Sequence, residues 1–205
     1  PLFNSFAALA MQTDQDAVSM RQLGVDPERL VVLGNLKYDA ALPGSSIKAG
    51  LDRGALQISE QALVWVAGST HRGEEEIVFD VFRKLVRSFA NLFLVVAPRN
   101  VERGAELAAM ASRRGLSVFR RSQGSEGEGS VLILDTLGEL ASVYDLCDIA
   151  FVGGSLVPER GHNPLEPAVH GKPVLYGPFM EDFAEISRDL LEVGGARLVY
   201  DEDGL

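Results

Sequence analysis

Four short segments carry side chains of the kinds that grip a nucleotide. Arg99 follows the apolar run Val96-Ala97-Pro98, and its planar guanidinium fork suits a phosphate. Glu166 closes Asn163-Pro164-Leu165-Glu166, where a carboxylate can take two ribose hydroxyls, as an acidic residue does in dinucleotide-binding folds. Asp135-Thr136-Leu137-Gly138-Glu139 places Leu137 and Gly138 at a helix start, offering N–H groups to a base or a phosphate. Gly68-Ser69-Thr70-His71 adds two hydroxyls and an imidazole. Each segment comes directly after an apolar run, or after a run and its glycines. If those runs are parallel strands, their carboxyl ends gather on one edge and the four loops line one crevice.

Each of these residues also has a structural use. Thr136 and Glu139 stand at capping-box spacing, so Glu139 can hold its own helix start. Asn163 as N-cap, Pro164 at the first helical position and Glu166 three residues on make the same pattern. Arg99 precedes a helix and can be a surface residue. His71 and His162 read as hydrogen-bonded loop residues rather than catalysts. No His/Cys/Asp spacing suits zinc, and neither a Walker phosphate loop nor a G-x-S-x-G nucleophile elbow occurs. The chain thus reads as able to hold a nucleotide but not to complete a reaction alone.

The elements that position these groups follow from periodicity. Strands are expected at residues 63–67, 92–97, 116–119, 131–134, 149–152, 174–176 and 198–200. Helices are expected at 47–57, 73–87, 101–114, 137–144, 165–170 and 184–193. The first turn of the second of these is acidic, as the macrodipole favours. Such even alternation predicts an α/β fold, a Rossmann-like parallel sheet with helices on both faces. The glycine-rich stretch 122–130 reads as a mobile surface loop. Residues 1–43 read as the tail of a preceding domain and a linker, with a helix from about 15 to 23 and a β-rich run at 30–33; residues 44–205 form the main domain.

Bulk properties narrow the classes. An apolar content of 46% supports a packed core, and a formal net charge of −10 argues against a nucleic-acid surface. No apolar stretch is long enough to span a bilayer, and no signal peptide is visible. The single cysteine, Cys147, lies in an apolar stretch and reads as a buried structural thiol. Pro1-Leu2-Phe3 is not a natural start, and Gly204-Leu205 follows an acidic turn with no closing element. A piece of a longer protein is therefore expected.

At these residues the sequence resembles the Kdo (3-deoxy-D-manno-oct-2-ulosonic acid) transferases of lipopolysaccharide synthesis. The matching pieces run in family order: residues 34–39, GNLKYD; 67–71, AGSTH, with Glu74-Glu75-Glu76; Ala97-Pro98-Arg99; 135–140, DTLGEL; 150–156, AFVGGSL; 161–166, GHNPLE; and 171–175, GKPVL. Asn100 stands where the family usually has His, Leu137 replaces a frequent Met, and residues 157–160 vary from the usual loop.

The resemblance implies the C-terminal domain of a two-domain GT-B glycosyltransferase. That domain would hold the CMP of the donor CMP-Kdo. The acceptor, a lipid A precursor (lipid IVA), and the catalytic base would belong to an N-terminal domain, so no catalytic residue is expected here. Inversion at the anomeric carbon without an enzyme-bound metal, and without a cofactor, is the family expectation. The implied nucleotide contacts are Pro98, Arg99, Leu137, Gly138, Glu139, Asn163, Pro164, Leu165 and Glu166, with Lys37, Ser69 and Thr70 nearer the sugar or the domain cleft. The parent protein would work at the cytoplasmic face of the bacterial inner membrane, the present chain being soluble. Two other readings stay open: the same fold with a UDP-sugar donor, and a non-enzymatic interaction module.

Overall fold

The computed structural model describes residues 2–35, 38, 51–124 and 129–205. The chain divides into two compact units, Pro1–Leu42 and Pro43–Leu205. In the first, β1 (Leu9–Met11), α1 (Asp14–Gln22) and β2 (Leu30–Val32) form one β-α-β turn with the two strands parallel. Thr13 caps α1: its hydroxyl accepts from Asp16 N–H at 3.0 Å, and the Asp16 carboxylate accepts from Thr13 N–H at 3.0 Å. Gly24, at φ +83°, turns the chain out of the helix. Within this unit's described residues only Ala17 and Val25 are buried apolar side chains, too few for a core of its own.

The second unit is a seven-stranded sheet. In chain order its elements are β3 (Leu63–Thr70), α2 (Glu74–Leu85), β4 (Leu92–Pro98), α3 (Gly104–Arg113), β5 (Val118–Arg120), β6 (Val131–Ile133), α4 (Leu140–Leu146), β7 (Ile149–Val152), α5 (Leu165–Ala168), β8 (Val174–Tyr176), α6 (Ala184–Glu192) and β9 (Ala196–Leu198). All strand pairs are parallel, in the order β5-β6-β4-β3-β7-β8-β9.

The two faces of β3 show why its sequence is apolar throughout. Val64 and Val66 pack on one side with Val95, Leu132 and the α4 residues Val143 and Tyr144. Trp65 and Ala67 pack on the other with Phe79 and Phe82 of α2 and Leu107 of α3. A strand covered on both faces loses the alternation of a half-buried one and becomes a continuous apolar run. The α/β reading with helices on both faces therefore holds.

Element positions differ from expectation mainly at the edges. The run predicted at 116–119 forms its strand at 118–120, and the one at 198–200 forms it at 196–198. Both are three-residue edge strands, whose limits are set by the partner strand rather than by their own pattern. Of the helix expected at 47–57, residues 47–50 lie outside the described residues and the rest is turn. There the Asp52 carboxylate accepts from Ala55 N–H at 2.7 Å, and Gln57 sits at φ +57°, which no helix tolerates. Residues 101–103 form a 3₁₀ turn ahead of α3, capped by Asn100.

The stretch expected to be a mobile loop is tied down at its start. Ser122 donates to Asp135 from its N–H at 2.8 Å and from its hydroxyl at 2.7 Å, and Arg120 donates to the same carboxylate at 2.7 Å. Burial opposes ionisation of Asp135, yet the bonds from Ser122 and Arg120 hold it below the usual carboxylate range. Residues 125–128 lie outside the described residues. Cys147 is buried, as expected, and burial pushes its thiol up to about 12.

Candidate functional site

The chain starts in the middle of the sheet at β3, runs outward through β4 to the edge strand β5, returns to β6 between them, then crosses to β7 and runs outward the other way. The reversal lies between the neighbours β3 and β7, and open α/β sheets bind ligands beyond the carboxyl ends of strands at such a point. The loops after β4, β6 and β7 leave the same edge, because every strand is parallel. They carry Pro98-Arg99, Leu137–Glu139 and Asn163–Glu166.

Three successive glutamates at the start of α2 build the frame of this edge. Glu74 is fully buried, and its carboxylate accepts four backbone N–H groups: His71 at 2.9 Å, Gly154 at 2.8 Å, Ser155 at 3.0 Å and Leu156 at 2.9 Å. It joins the loop after β3 to the loop after β7. Glu75, also fully buried, accepts from Arg103 at 2.6 Å and from the Thr70 hydroxyl at 3.2 Å. Burial raises its pKa, and the Arg103 guanidinium only partly offsets this. Glu76 accepts from Gly73 N–H at 3.2 Å and closes the helix start.

Between these ties β3 ends in a bulge. Its register with β4 shifts between Gly68 and Thr70, and Ser69 is left at φ +55°, a left-handed conformation that a non-glycine residue seldom adopts. The backbones of β3 and β7 approach closely here. Gly153 N–H donates to Gly68 O at 2.8 Å, and a Cβ on Gly153 would lie 2.7 Å from Thr70 Cα. Gly68 itself lies under the Tyr144 ring of α4, where a Cβ would meet Tyr144 Cζ at 2.7 Å.

Arg99 and Glu166 stand out on this edge. Pro98 is buried at the end of β4, Arg99 N–H is fixed to Thr70 O at 3.0 Å, and the Arg99 side chain is exposed. Among the described residues its guanidinium has no hydrogen-bond or ion-pair partner. Glu166, half-buried on α5, has none either. Burial raises the Glu166 pKa, and the positive charge of Arg99 counters this. Glu166 in turn helps to suppress ionisation of the fully buried Tyr144, after burial itself. The carboxylate therefore lies within electrostatic reach of both Arg99 and the α4 residue that covers Gly68.

Both expected capping boxes are absent. The helix after β6 begins at Leu140, and the Glu139 carboxylate accepts from the Thr136 hydroxyl and from Arg121 at 3.2 Å instead of returning to a Thr136 N–H. Glu139 thus ties the segment after β5 to the crevice rim. Gly138 stands at φ +73° in the preceding turn, with the Leu137 side chain 76% exposed. At α5, Asn163 Oδ1 accepts from Leu165 N–H at 3.1 Å and Asn163 O from Glu166 N–H at 3.4 Å, while Pro164 has no N–H. The first N–H groups of α5 are therefore already engaged. With four residues α5 also has little macrodipole to offer, so this turn presents a carboxylate rather than a positive helix end.

Of the three residues expected nearer the sugar, Ser69 is the bulged residue and Thr70 is fully buried with its hydroxyl committed to Glu75. Lys37 lies outside the described residues. Sequence reasoning did not foresee that His71 and His162 meet, with Nε2 atoms 2.8 Å apart. Nor did it foresee the four-fold role of Glu74 or the seat of Tyr144 over Gly68. All three depend on β3 and β7 being neighbours, which the linear spacing does not state.

The fold defines the class first. A crystal structure of a UDP-N-acetylglucosamine 2-epimerase from Listeria monocytogenes, 18% identical, superposes over 97% of this chain and 48% of its own with a TM-score of 0.60. That likeness places the chain in the GT-B-like α/β class. Sequence then gives the family. A 3-deoxy-D-manno-octulosonic acid transferase from Haemophilus influenzae is 36% identical over 95% of this chain, which spans 46% of that relative's length. The crystal structure of the C-terminal CMP-Kdo binding domain of WaaA from Acinetobacter baumannii is 30% identical, covers 73% of this chain and 82% of its own, and gives a TM-score of 0.67. Residues 1–40 match the family model described as 3-deoxy-D-manno-octulosonic-acid transferase (kdotransferase). The chain belongs to the Kdo transferase family, and it spans about half the length of the curated relatives it matches.

Proposed function

We propose that this chain supplies the nucleotide-binding half of a glycosyltransferase that moves Kdo from CMP-Kdo to a lipid A precursor in lipopolysaccharide synthesis. In this reading residues 44–205 are the CMP-Kdo-binding domain and residues 1–43 belong to the acceptor domain and its linker. The observation that carries it is the unmatched pair at the crevice: an exposed guanidinium and a half-buried carboxylate, each without a side-chain partner among the described residues. Keeping the half-buried carboxylate without a hydrogen-bond partner costs stability, and a ligand with a phosphate at one end and ribose hydroxyls at the other suits both groups.

Arg99 takes the phosphoryl oxygens and Glu166 the ribose hydroxyls. The turn at Leu137–Glu139 closes on the base, through the exposed Leu137 side chain and the backbone at Gly138. When the acceptor hydroxyl attacks the sugar, negative charge grows on the departing phosphate, and a guanidinium already in place stabilises it without reorganisation. The base that deprotonates the acceptor lies outside this unit, so the two domains must close for turnover. Membrane association belongs to the parent protein at the inner face of the inner membrane; among the described residues no helix is long and apolar enough to cross a membrane.

Calorimetric titration of CMP into the chain, with UDP as competitor, tests this reading. CMP is expected to bind and UDP to displace it poorly. Arg99→Ala is expected to weaken CMP by about 10- to 100-fold, the worth of a charge-assisted bidentate contact. Equal affinity for UDP would assign the site to another donor, and no binding of either nucleotide would overturn the proposal. No Kdo transfer is expected from the chain alone when it is given CMP-Kdo and the lipid acceptor.

A further inference from the structure

At the mouth of the crevice His71, after β3, and His162, after β7, form a hydrogen bond between their Nε2 atoms at 2.8 Å, with rings 17° from parallel and centroids 5.1 Å apart. Such a bond needs one ring to donate and the other to accept. A neutral pair meets that requirement, and so does an imidazolium beside an imidazole; two imidazoliums do not. While the contact lasts, the pair can take up one proton and no more. The pair is also fixed in place. His71 N–H is held by Glu74, and the His162 ring packs on Gly154, where a Cβ would lie 3.1 Å from Cδ2.

The charges around the pair come from three elements. From the end of β4 the Arg99 guanidinium acts on His162. From the loop after β7 the exposed Glu159 carboxylate stands 3.9 Å from His71 Nδ1. From the start of α2 comes Glu74, its carboxylate already taken by four N–H groups. Two of these are carboxylates, one solvated and one already satisfied by N–H groups, and of the charges outside the pair Arg99 acts most strongly on His162.

We propose that His71 and His162 together form an anion-recognition pair of the nucleotide crevice, which takes one proton from solvent when the phosphoryl group docks beside Arg99. The proposal rests on the nucleotide-binding reading above. Burial, then His71, then Arg99 push His162 down to about 4, which keeps the His162 ring neutral near pH 7. A phosphoryl group neutralises the influence of Arg99 and adds its own attraction for a proton. The hydrogen bond then becomes imidazolium to imidazole, and binding strengthens as pH falls.

The test uses the 205-residue chain and cytidine 5′-O-methylphosphate, a diester with one fixed negative charge that does not itself titrate between pH 5 and 8. Its Kd is measured by calorimetry across that range in two buffers of different ionisation enthalpy. The expected result is a Kd that tightens as pH falls, by at most about tenfold per pH unit for one linked proton, with a buffer-dependent heat showing proton uptake. Histidine ring NMR provides a second readout on the unaltered chain, which has three histidines. On saturation the His162 titration is expected to move to higher pH, while the signal of His170, placed 3.2 Å from Asp145, stays where it was. H71Q and H162Q should each flatten the pH profile; should either fail to fold, the ring titration of the unaltered chain decides. Binding whose Kd is flat with pH and leaves the His162 titration unmoved overturns this inference alone, as does a slope that survives in both variants. Absence of binding at every pH overturns it together with the nucleotide-binding reading.

Discussion

At the scale of single residues, the site is defined by groups left without a partner. Glu166 illustrates the cost. Burial raises its pKa, so the folded chain holds its proton to higher pH than the unfolded chain does. The linked stability is fully present below the unfolded value and is lost as pH rises through the folded one. Glu166→Gln removes that loss. It is expected to raise Tm at pH 7 by about 1–3 °C while weakening CMP, and thermal unfolding followed at pH 4 and pH 7 reads the difference. A gain in stability of the same size at both pH values would contradict the assignment. Glu74 is the opposite case, a carboxylate wholly used by the fold. Glu74→Gln retains one acceptor oxygen and turns a donor group toward backbone N–H groups, at a cost of about 2–4 kcal/mol in denaturant unfolding.

At the scale of elements, the chain shows what a linear pattern records. The central strands were legible because burial on both faces makes them apolar runs, and α2 was legible from its acidic first turn. What that pattern did not carry is what the acidic turn does. Glu74, Glu75 and Glu76 read as partners of a macrodipole, yet each bonds a different segment. The capping boxes at 136–139 and 163–166 have the right spacing and do not form, because Arg121 and Asn163 satisfy the same groups in other ways. Spacing records what is possible locally, and tertiary partners decide. Gly68 belongs at this scale too, since it lets α4 lie directly on β3. Gly68→Ala would press a methyl against the Tyr144 ring, whose position is fixed by burial, and is expected to cost about 1–3 kcal/mol. Chemical denaturation checks the value, and a neutral result would show that α4 can move away from the sheet without penalty.

At the scale of the whole molecule, strand order does the assembling. Arg99 and Glu166 are 67 positions apart in sequence, and what brings them together is that β4 and β7 flank β3 with all three parallel. The alternation of elements implied parallel strands, and with them a common edge for the loops, so Arg99 and Glu166 were foreseeable as candidates on that edge. The order β4-β3-β7 was not in the alternation, and with it went the His71–His162 pair and the Glu74 tie. The same order explains why a four-residue α5 suffices: the sheet and Asn163 fix its position, and it has only to carry one carboxylate to the crevice.

In the proposed function the turns after β4, β6 and β7 grip one cytidine monophosphate. The most direct measurement is the amide NMR spectrum of the chain recorded as CMP is added. Saturable shifts are expected to cluster at Arg99, Gly138 and Glu166, with weaker ones at His71 and Gly154 and none along α6. Shifts confined to another face of the sheet, or no shifts at millimolar CMP in a folded sample, would contradict the proposed function.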